Sequence, residues 1–503
     1  MTVPRWAFAA LGYALLLGAW AFASPPSAAP DEQAHAVRAA AAGQGTWEGR
    51  PVQPYHRTPG LGPAQVDYLN QQAQEFLVPA GLVPPAPCFT STPDSPATCA
   101  VGTDSPPAGS RTVPVTTYAT TAPPVVYAVA GLAMRLPGIG LSPLLMGRLA
   151  MALLCALLLS AAAWAASLRG SLWPSAGLAL AVTPMVLFLG ASLNPAGVAA
   201  CAAICFACGV LAVWSGPPRP GVSAVAALSG AVLALTRPSG VIVVAALGAA
   251  TLPLVWPRWL LRPGVALAVA VVVAAALGEV AWALAHPTTV PLGGLSVPDA
   301  LTVIAGRWQD LASQLVGAFG AGEVRLPAVL SAAWEVLVAL LLGTALVVGF
   351  WRDRLALLVI LATVIAVALG AYALVLAPLG WEPQGRFVLA VAVVVPVLAG
   401  FVLHRAGLRS RADVFLVGLA VAAMQFVAFW ENARRYAVGR HGPIDFVDLA
   451  SWVPPGGWLR WVVVAGVGCV LVALALLPLT SAEQEEERVG SVVVDPQLVS
   501  LSR

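Results

Sequence analysis

Apolar runs of membrane-spanning length alternate with polar connectors along most of this chain. A transmembrane helix needs about 20 apolar residues. The first run, Trp6–Ser24, meets that length and follows Arg5. It also has the outline of a signal peptide, with Ala21-Phe22-Ala23 as a candidate cleavage site. Its long apolar core, the Pro25-Pro26 that follows and the many later spans favour an uncleaved helix. Residues 25–122 are polar and rich in Pro, Gly, Thr and Gln, and too long for a simple connector. Within them the pattern predicts a short helix over Glu32–Ala42 and another over Gln65–Phe76, the rest being irregular. Further apolar segments run over 123–136, 145–166, 172–189, 195–214, 222–256, 263–285, 328–350, 355–377, 387–404, 412–430 and 459–479. Arg237-Pro238 interrupts the 222–256 stretch and divides it into two half-helices or two short spans. The expected total is 12 or 13 spans, an all-α polytopic fold.

Composition agrees. The chain is 59% hydrophobic and 10% charged, against about 25% charged in soluble domains. A formal net charge of +3 leaves no general basic surface for nucleic acid. The positive-inside rule puts Arg258, Arg262, Arg352, Arg354, Arg405, Arg409 and Arg411 inside, whereas Arg169 and Arg219 leave the middle of the chain ambiguous. The expected organisation follows: a first span at 1–24 with a cytoplasmic N-terminus, and an extracytoplasmic domain at 25–122. After these come a membrane core at 123–285, an outer loop at 286–327, C-terminal spans over 328–479 with an outer loop at 431–457, and an acidic cytoplasmic tail at 480–503. Arg434, Arg435 and Arg440 sit on the outer side against the rule, which implies a folded loop that uses cations. Cys88 and Cys99 lie in the polar segment and would close a short disulfide loop in an extracytoplasmic setting. Cys201, Cys205 and Cys208 share a helical face, which reads as apolar packing rather than a metal site.

Three places carry candidate chemistry. Pro30-Asp31-Glu32, with His35 and Arg38, is a dense charge cluster at the exit of the first span. On a helix starting at Asp31, residues 31, 35 and 38 share one face and Glu32 sits at its edge. Either Asp31 caps the helix and Glu32 complements its dipole, or the cluster holds a base at the membrane surface. Trp381-Glu382-Pro383-Gln384-Gly385-Arg386-Phe387 places an arginine at the mouth of a span. Its planar fork suits a phosphate, and snorkelling to the interface is the plain alternative. Thr183-Pro184 and Ala191-Ser192-Leu193-Asn194-Pro195 read first as a turn and helix start. Arg237 must face the protein interior, a headgroup or a cavity.

The run 25–38, the 183–195 stretch, Gln384-Gly385-Arg386-Phe387 and Ala122-Pro123-Pro124-Val125-Val126-Tyr127 together resemble the bacterial membrane proteins of domain-of-unknown-function family 2142. That family in turn looks like the GT-C superfamily of polytopic glycosyltransferases, which carry an acidic motif in the large first outer loop. Ala196 stands where the family pattern leads one to expect an acidic residue. The resemblance implies transfer of a sugar from a polyprenyl-phosphate carrier to a glycan, lipid or protein acceptor of the cell envelope. Transfer would take place on the outer face of the inner (plasma) membrane, with inversion. Asp31 would be the base and Glu32 a second carboxylate or acceptor orienter. Arg386 with Gln384 would hold the phosphate, Arg237 would assist, and His35 and Arg38 would position donor or acceptor. The scheme requires no metal, although paired carboxylates are able to hold a divalent ion. A transporter or flippase of lipid-linked intermediates is the alternative, and a non-catalytic assembly protein a third. Glu279 and Glu335, both near span ends, are the clearest charges within spans, fewer than a transport path needs.

Overall fold

The structure is a computed structural model. It describes residues 3–52, 60–85, 87–90, 92–100, 111–136, 141–168, 170–214, 220–254, 261–290, 294–320, 322–408 and 411–477. Arg169, Arg219, Arg258, Arg409 and the acidic tail lie outside the described residues, and the Arg411 side chain is not described.

Among the described residues, eight helices are long and apolar enough to cross a membrane. A ninth span is added if the bent pair Trp173–Ala181 and Pro184–Gly190 counts as one. This corrects the expected 12 or 13. The difference lies in breaks that hydropathy alone averages over. Pro184 turns its pair of helices by 63°, and Thr183 caps the second through Val186 N–H. Arg237-Pro238 divides 222–256 into Pro220–Ala234 and Pro238–Thr251, each short of a span. The predicted 123–136 and 387–404 segments are likewise shorter, as Val125–Met134 and as Leu389–Ala392 followed by Val394–Arg405.

Burial sorts the helices from centre to rim. Pro195–Trp214 has 94% of its apolar window inside the protein, and Trp351–Leu376 only 11%. The first is apolar on every face because it is surrounded by helices, the second because its outer faces meet lipid. The first helix, Arg5–Phe22, belongs to the core: Leu16 and Leu17 are fully buried. Its Trp20 packs against Phe188, Phe319 and Phe429. This helix lies against Pro143–Ser167 on one side and Trp458–Leu474 on the other. A Cβ on Gly12 would stand 2.8 Å from the Gly468 carbonyl, so only glycine permits that crossing.

The fold is not purely helical. Three strands cross the polar segment: β1 (Arg50–Pro51), β2 (Gln74–Pro79) and β3 (Thr112–Thr117). They form an antiparallel sheet in the order β1-β2-β3. The expected Gln65–Phe76 helix is instead Pro63–Gln72, after which the chain extends at Ala73. Phe76 and Val78 are buried and Leu77 between them is exposed, the alternation of a half-buried strand. The sheet packs on the Glu32–Ala42 helix, which forms where the sequence predicts it. That helix ends against Val125–Met134 so closely that a Cβ on Gly43 would fall 2.3 Å from the Gly131 backbone. Two further strands, β4 (Ala318–Phe319) and β5 (Val324–Arg325), make a small hairpin. The Arg411–Val438 helix overruns the predicted 412–430 span, so Arg434 and Arg435 lie in its last turns and not in a loop. Cys88 and Cys99 are joined, with their sulfurs 2.01 Å apart.

Candidate functional site

The segment between the first helix and Glu32–Ala42 is held from several sides. Arg148 donates to the carbonyls of Ala21, Ser24 and Pro25. Asn194 Nδ2 donates to the Pro30 carbonyl at 2.9 Å, and Ser27 Oγ to the Pro85 carbonyl at 2.8 Å. Ser27 (φ 61°) and Asp31 (φ 59°) are the only non-glycine residues with positive φ among the described residues. An L-residue in this left-handed region carries about 1–3 kcal/mol of strain and persists where the surroundings enforce it.

The geometry at Asp31 bears on the capping reading of the Pro-Asp-Glu triplet. Asp31 occupies the N-cap position, yet its side chain accepts no helix N–H. Its carboxylate points away. Oδ1 accepts from the Tyr118 hydroxyl at 2.9 Å and Oδ2 from Arg386 Nη1 at 2.7 Å. The carboxylate is 35% exposed and the Arg386 side chain 22%, so the pair reaches solvent. Burial works to raise the Asp31 carboxyl. The charges of Arg386 and His35 and the hydrogen bonds from Tyr118 and Arg386 outweigh it and hold the group below its ordinary value.

Arg386 is positioned in turn. Gln384 Oε1 accepts from its Nε at 2.8 Å, and Gln314 Oε1 accepts from the Gly385 backbone N–H at 2.8 Å. A Cβ on Gly385 would meet the Gln314 Cβ at 2.8 Å, so glycine lets this turn close. Arg237, the residue before Pro238, sets its guanidinium 5.5 Å from the Phe387 ring, as does Arg386. Two cations thus share one aromatic ring beside Asp31. His35 Nδ1 and the Tyr127 hydroxyl are 2.8 Å apart, their rings stacked. Burial pushes His35 down to about 4, against the pull of Asp31 and with the push of Arg237 and Arg386. The ring is neutral at pH 7.

Glu32 is not part of this group, which corrects its expected place as a second carboxylate. Its side chain is fully buried and takes a two-pronged contact from Arg148, Nε–Oε1 2.7 Å and Nη2–Oε2 2.5 Å. Leu193 N–H adds a third bond at 3.1 Å. The left-handed residue before it turns the two neighbouring carboxylates apart, one outward to Arg386 and one inward to Arg148. The 191–195 turn is therefore a clamp: Leu193 holds Glu32, and Asn194 holds Pro30 while its Oδ1 caps Ala196 N–H.

Arg38 ends the stripe. It is fully buried, with its guanidinium 5.2 Å from the Phe76 ring and 6.0 Å from the Trp282 ring. Arg434, Arg435 and Arg440 lie apart, along a cleft of about 440 Å³ that also includes Glu323, Arg325 and His441. Arg435 donates to the carbonyls of Phe89, Thr92 and Ser95 and pairs with Glu323 at 3.1 Å, tying the disulfide loop to its helix. Among the described residues no three His, Cys, Asp or Glu gather in a metal-holding group.

Sequence reasoning missed Arg148 and Tyr118, and did not assign Tyr127 a role. Arg148 carried a usable signal, an arginine inside an apolar span. Tyr118 carried none, because its place depends on how β3 returns to the Asp31 turn.

The chain matches the family described as predicted membrane protein, DUF2142, over residues 14–395. It belongs to the DUF2142 family. No curated protein and no solved structure matches it. The DUF2142 match spans Asp31, Tyr118, Tyr127, Arg148, Asn194, Arg237 and Arg386, whereas the residues 431–441 of the arginine cleft lie beyond it.

Proposed function

We propose that this DUF2142 protein is a membrane glycosyltransferase of GT-C type. On this reading it moves a sugar from a polyprenyl-phosphate donor to a cell-envelope acceptor on the extracytoplasmic face, with the N-terminus in the cytoplasm. One observation carries the reading: the strained Asp31 gives up its cap and pairs with Arg386.

In the resting pair each partner masks the other. Arg386 keeps the Asp31 carboxyl too acidic to be a good base, and Asp31 occupies the fork that would hold a phosphate. Donor binding resolves both. Arg386 turns to the lipid phosphate, with Arg237 adding a second charge across Phe387. Asp31, released from its cation, becomes more basic. It accepts the proton of the acceptor hydroxyl as the acceptor oxygen attacks the anomeric carbon. The carbon–oxygen bond to phosphate breaks with its electron pair, and polyprenyl phosphate leaves as an anion stabilised by the arginines. Attack opposite the leaving group inverts the anomeric centre. Tyr118 and Gln384 are positioning residues for the two partners.

The assay is transfer of labelled sugar from polyprenyl-phosphate donors to envelope lipid and glycan acceptors by the protein in nanodiscs. Asp31→Asn is expected to abolish transfer while the protein stays inserted and folded. Full transfer by that variant removes Asp31 as the base. A transporter reading draws on Glu279, a buried carboxylate in a spanning helix with no hydrogen-bond partner for either oxygen among the described residues. Donor-dependent transfer that survives Glu279→Gln separates the two.

A further inference from the structure

Of the three buried arginines among the described residues, two are anchored by a carboxylate and by backbone carbonyls. Arg148 has Glu32 and three carbonyls, and Arg435 has Glu323 and three carbonyls. Arg38 is the exception. It is 0% exposed, and Nε, Nη1 and Nη2 have no hydrogen-bond partner among the described residues. Its guanidinium stands over the Phe76 ring at 5.2 Å and over the Trp282 ring at 6.0 Å, and ring faces attract a cation but do not complete its five N–H donors. The Trp282 indole N–H is itself buried without a partner. Glu48, the carboxylate whose charge bears on Arg38, is 65% exposed and sits 3.4 Å from His286, on whose ring Trp282 stacks.

This is a set of donors without an acceptor. An unpaired buried guanidinium is costly enough to require an explanation. Hydrogen-bond donors from a planar fork and an indole, backed by aromatic faces, are the complement of an oxyanion. We propose that Arg38 and Trp282 form an oxyanion subsite for a phosphate group, separate from the Asp31–Arg386 pair. Seven residues of helix separate Arg38 from Asp31, about 10 Å along the axis, so one phosphate does not serve both places. Trp282 lies in the last turn of the spanning helix Pro263–Ala285. A tryptophan at a span end belongs at the headgroup level. The phosphate therefore comes either from a lipid headgroup or from solution. The subsite rests on its own observations and not on the transferase reading.

The test uses the full chain in an Arg386→Ala background, which removes the other proposed phosphate clamp. Thermal unfolding is followed in a phosphate-free detergent, with and without inorganic phosphate and with and without added phosphatidylglycerol. At least one probe is expected to raise the unfolding temperature. Arg38→Met removes that rise, and Trp282→Phe, which keeps the ring and loses the N–H, weakens the responding probe several-fold. A response to phosphate in solution marks a soluble oxyanion as the source, and a response confined to phosphatidylglycerol marks a headgroup. Without either probe, Arg38→Met unfolds no lower than its parent, because no ion pair is lost. A missing response to both probes in the Arg386→Ala protein overturns the subsite. So does a response that persists unchanged in Arg38→Met and in Trp282→Phe.

Discussion

Asp31 and Arg386 are 355 residues apart in the chain and 2.7 Å apart in space. Their meeting joins the start of the polar segment to the mouth of a late apolar segment, two regions that nothing local connects. Both carboxylate oxygens are engaged, and neither by the helix that Asp31 begins. A residue kept for capping alone would face the other way.

Conformation and chemistry separate at position 31. Glycine relieves the left-handed strain, which is about 1–3 kcal/mol for other residues, and loses a partly exposed ion pair of about 0–1 kcal/mol. Asp31→Gly is therefore expected to unfold within about 1 kcal/mol of the parent, by chemical denaturation in detergent, and to lack transfer activity. A large loss of stability would make Asp31 a structural residue first.

The neighbouring carboxylate behaves in the opposite sense. The Glu32–Arg148 side chains are 0% and 3% exposed, so removing one charge strands the other. Glu32→Gln is expected to destabilise the fold by about 3–5 kcal/mol, whereas Asp31→Asn changes stability little. Glu32→Leu with Arg148→Met restores part of the loss. Equal effects at 31 and 32 would contradict the division of labour between them.

Acid sensitivity follows from two shifts with known signs. His35 titrates near 4 in the fold against 6.5 when exposed. The unfolded chain therefore binds a proton there that the fold refuses, and stability falls as pH drops from 6.5 to 4. Asp31, whose carboxyl is lowered, contributes stability that is present above its unfolded value and lost as pH falls through its folded value. Unfolding temperatures between pH 7 and pH 4 are expected to fall, and less steeply in His35→Gln. An identical slope in that variant would place the acid sensitivity elsewhere.

Much of this was legible in the chain. Helix 32–42 follows from an Ala-rich run behind a Pro-Asp-Glu start, and Arg386 stands out as a lone cation before an apolar run. Arg237-Pro238 announces its own break. What the sequence did not show depends on long-range return. The sheet that packs on helix 32–42 pairs β1 with β2 across 23 to 25 residues and β2 with β3 across 33 to 43, and Phe76-Leu77-Val78, all apolar, shows no alternation in sequence to mark a strand behind its helix-like leader. The split between Asp31 and Glu32 turns on a single backbone conformation. Periodicity puts the two side by side, while the left-handed turn sends them to different partners.

In the proposed cycle Arg386 alternates between Asp31 and a lipid phosphate. Equilibrium binding of polyprenyl phosphate to the protein in nanodiscs tests it directly, because no sugar or acceptor need be known. The account predicts that Asp31→Asn, which frees the arginine, binds polyprenyl phosphate several-fold more tightly than the parent, and that Arg386→Ala binds it at least tenfold more weakly. Unchanged binding in Arg386→Ala, or weaker binding in Asp31→Asn, would contradict it.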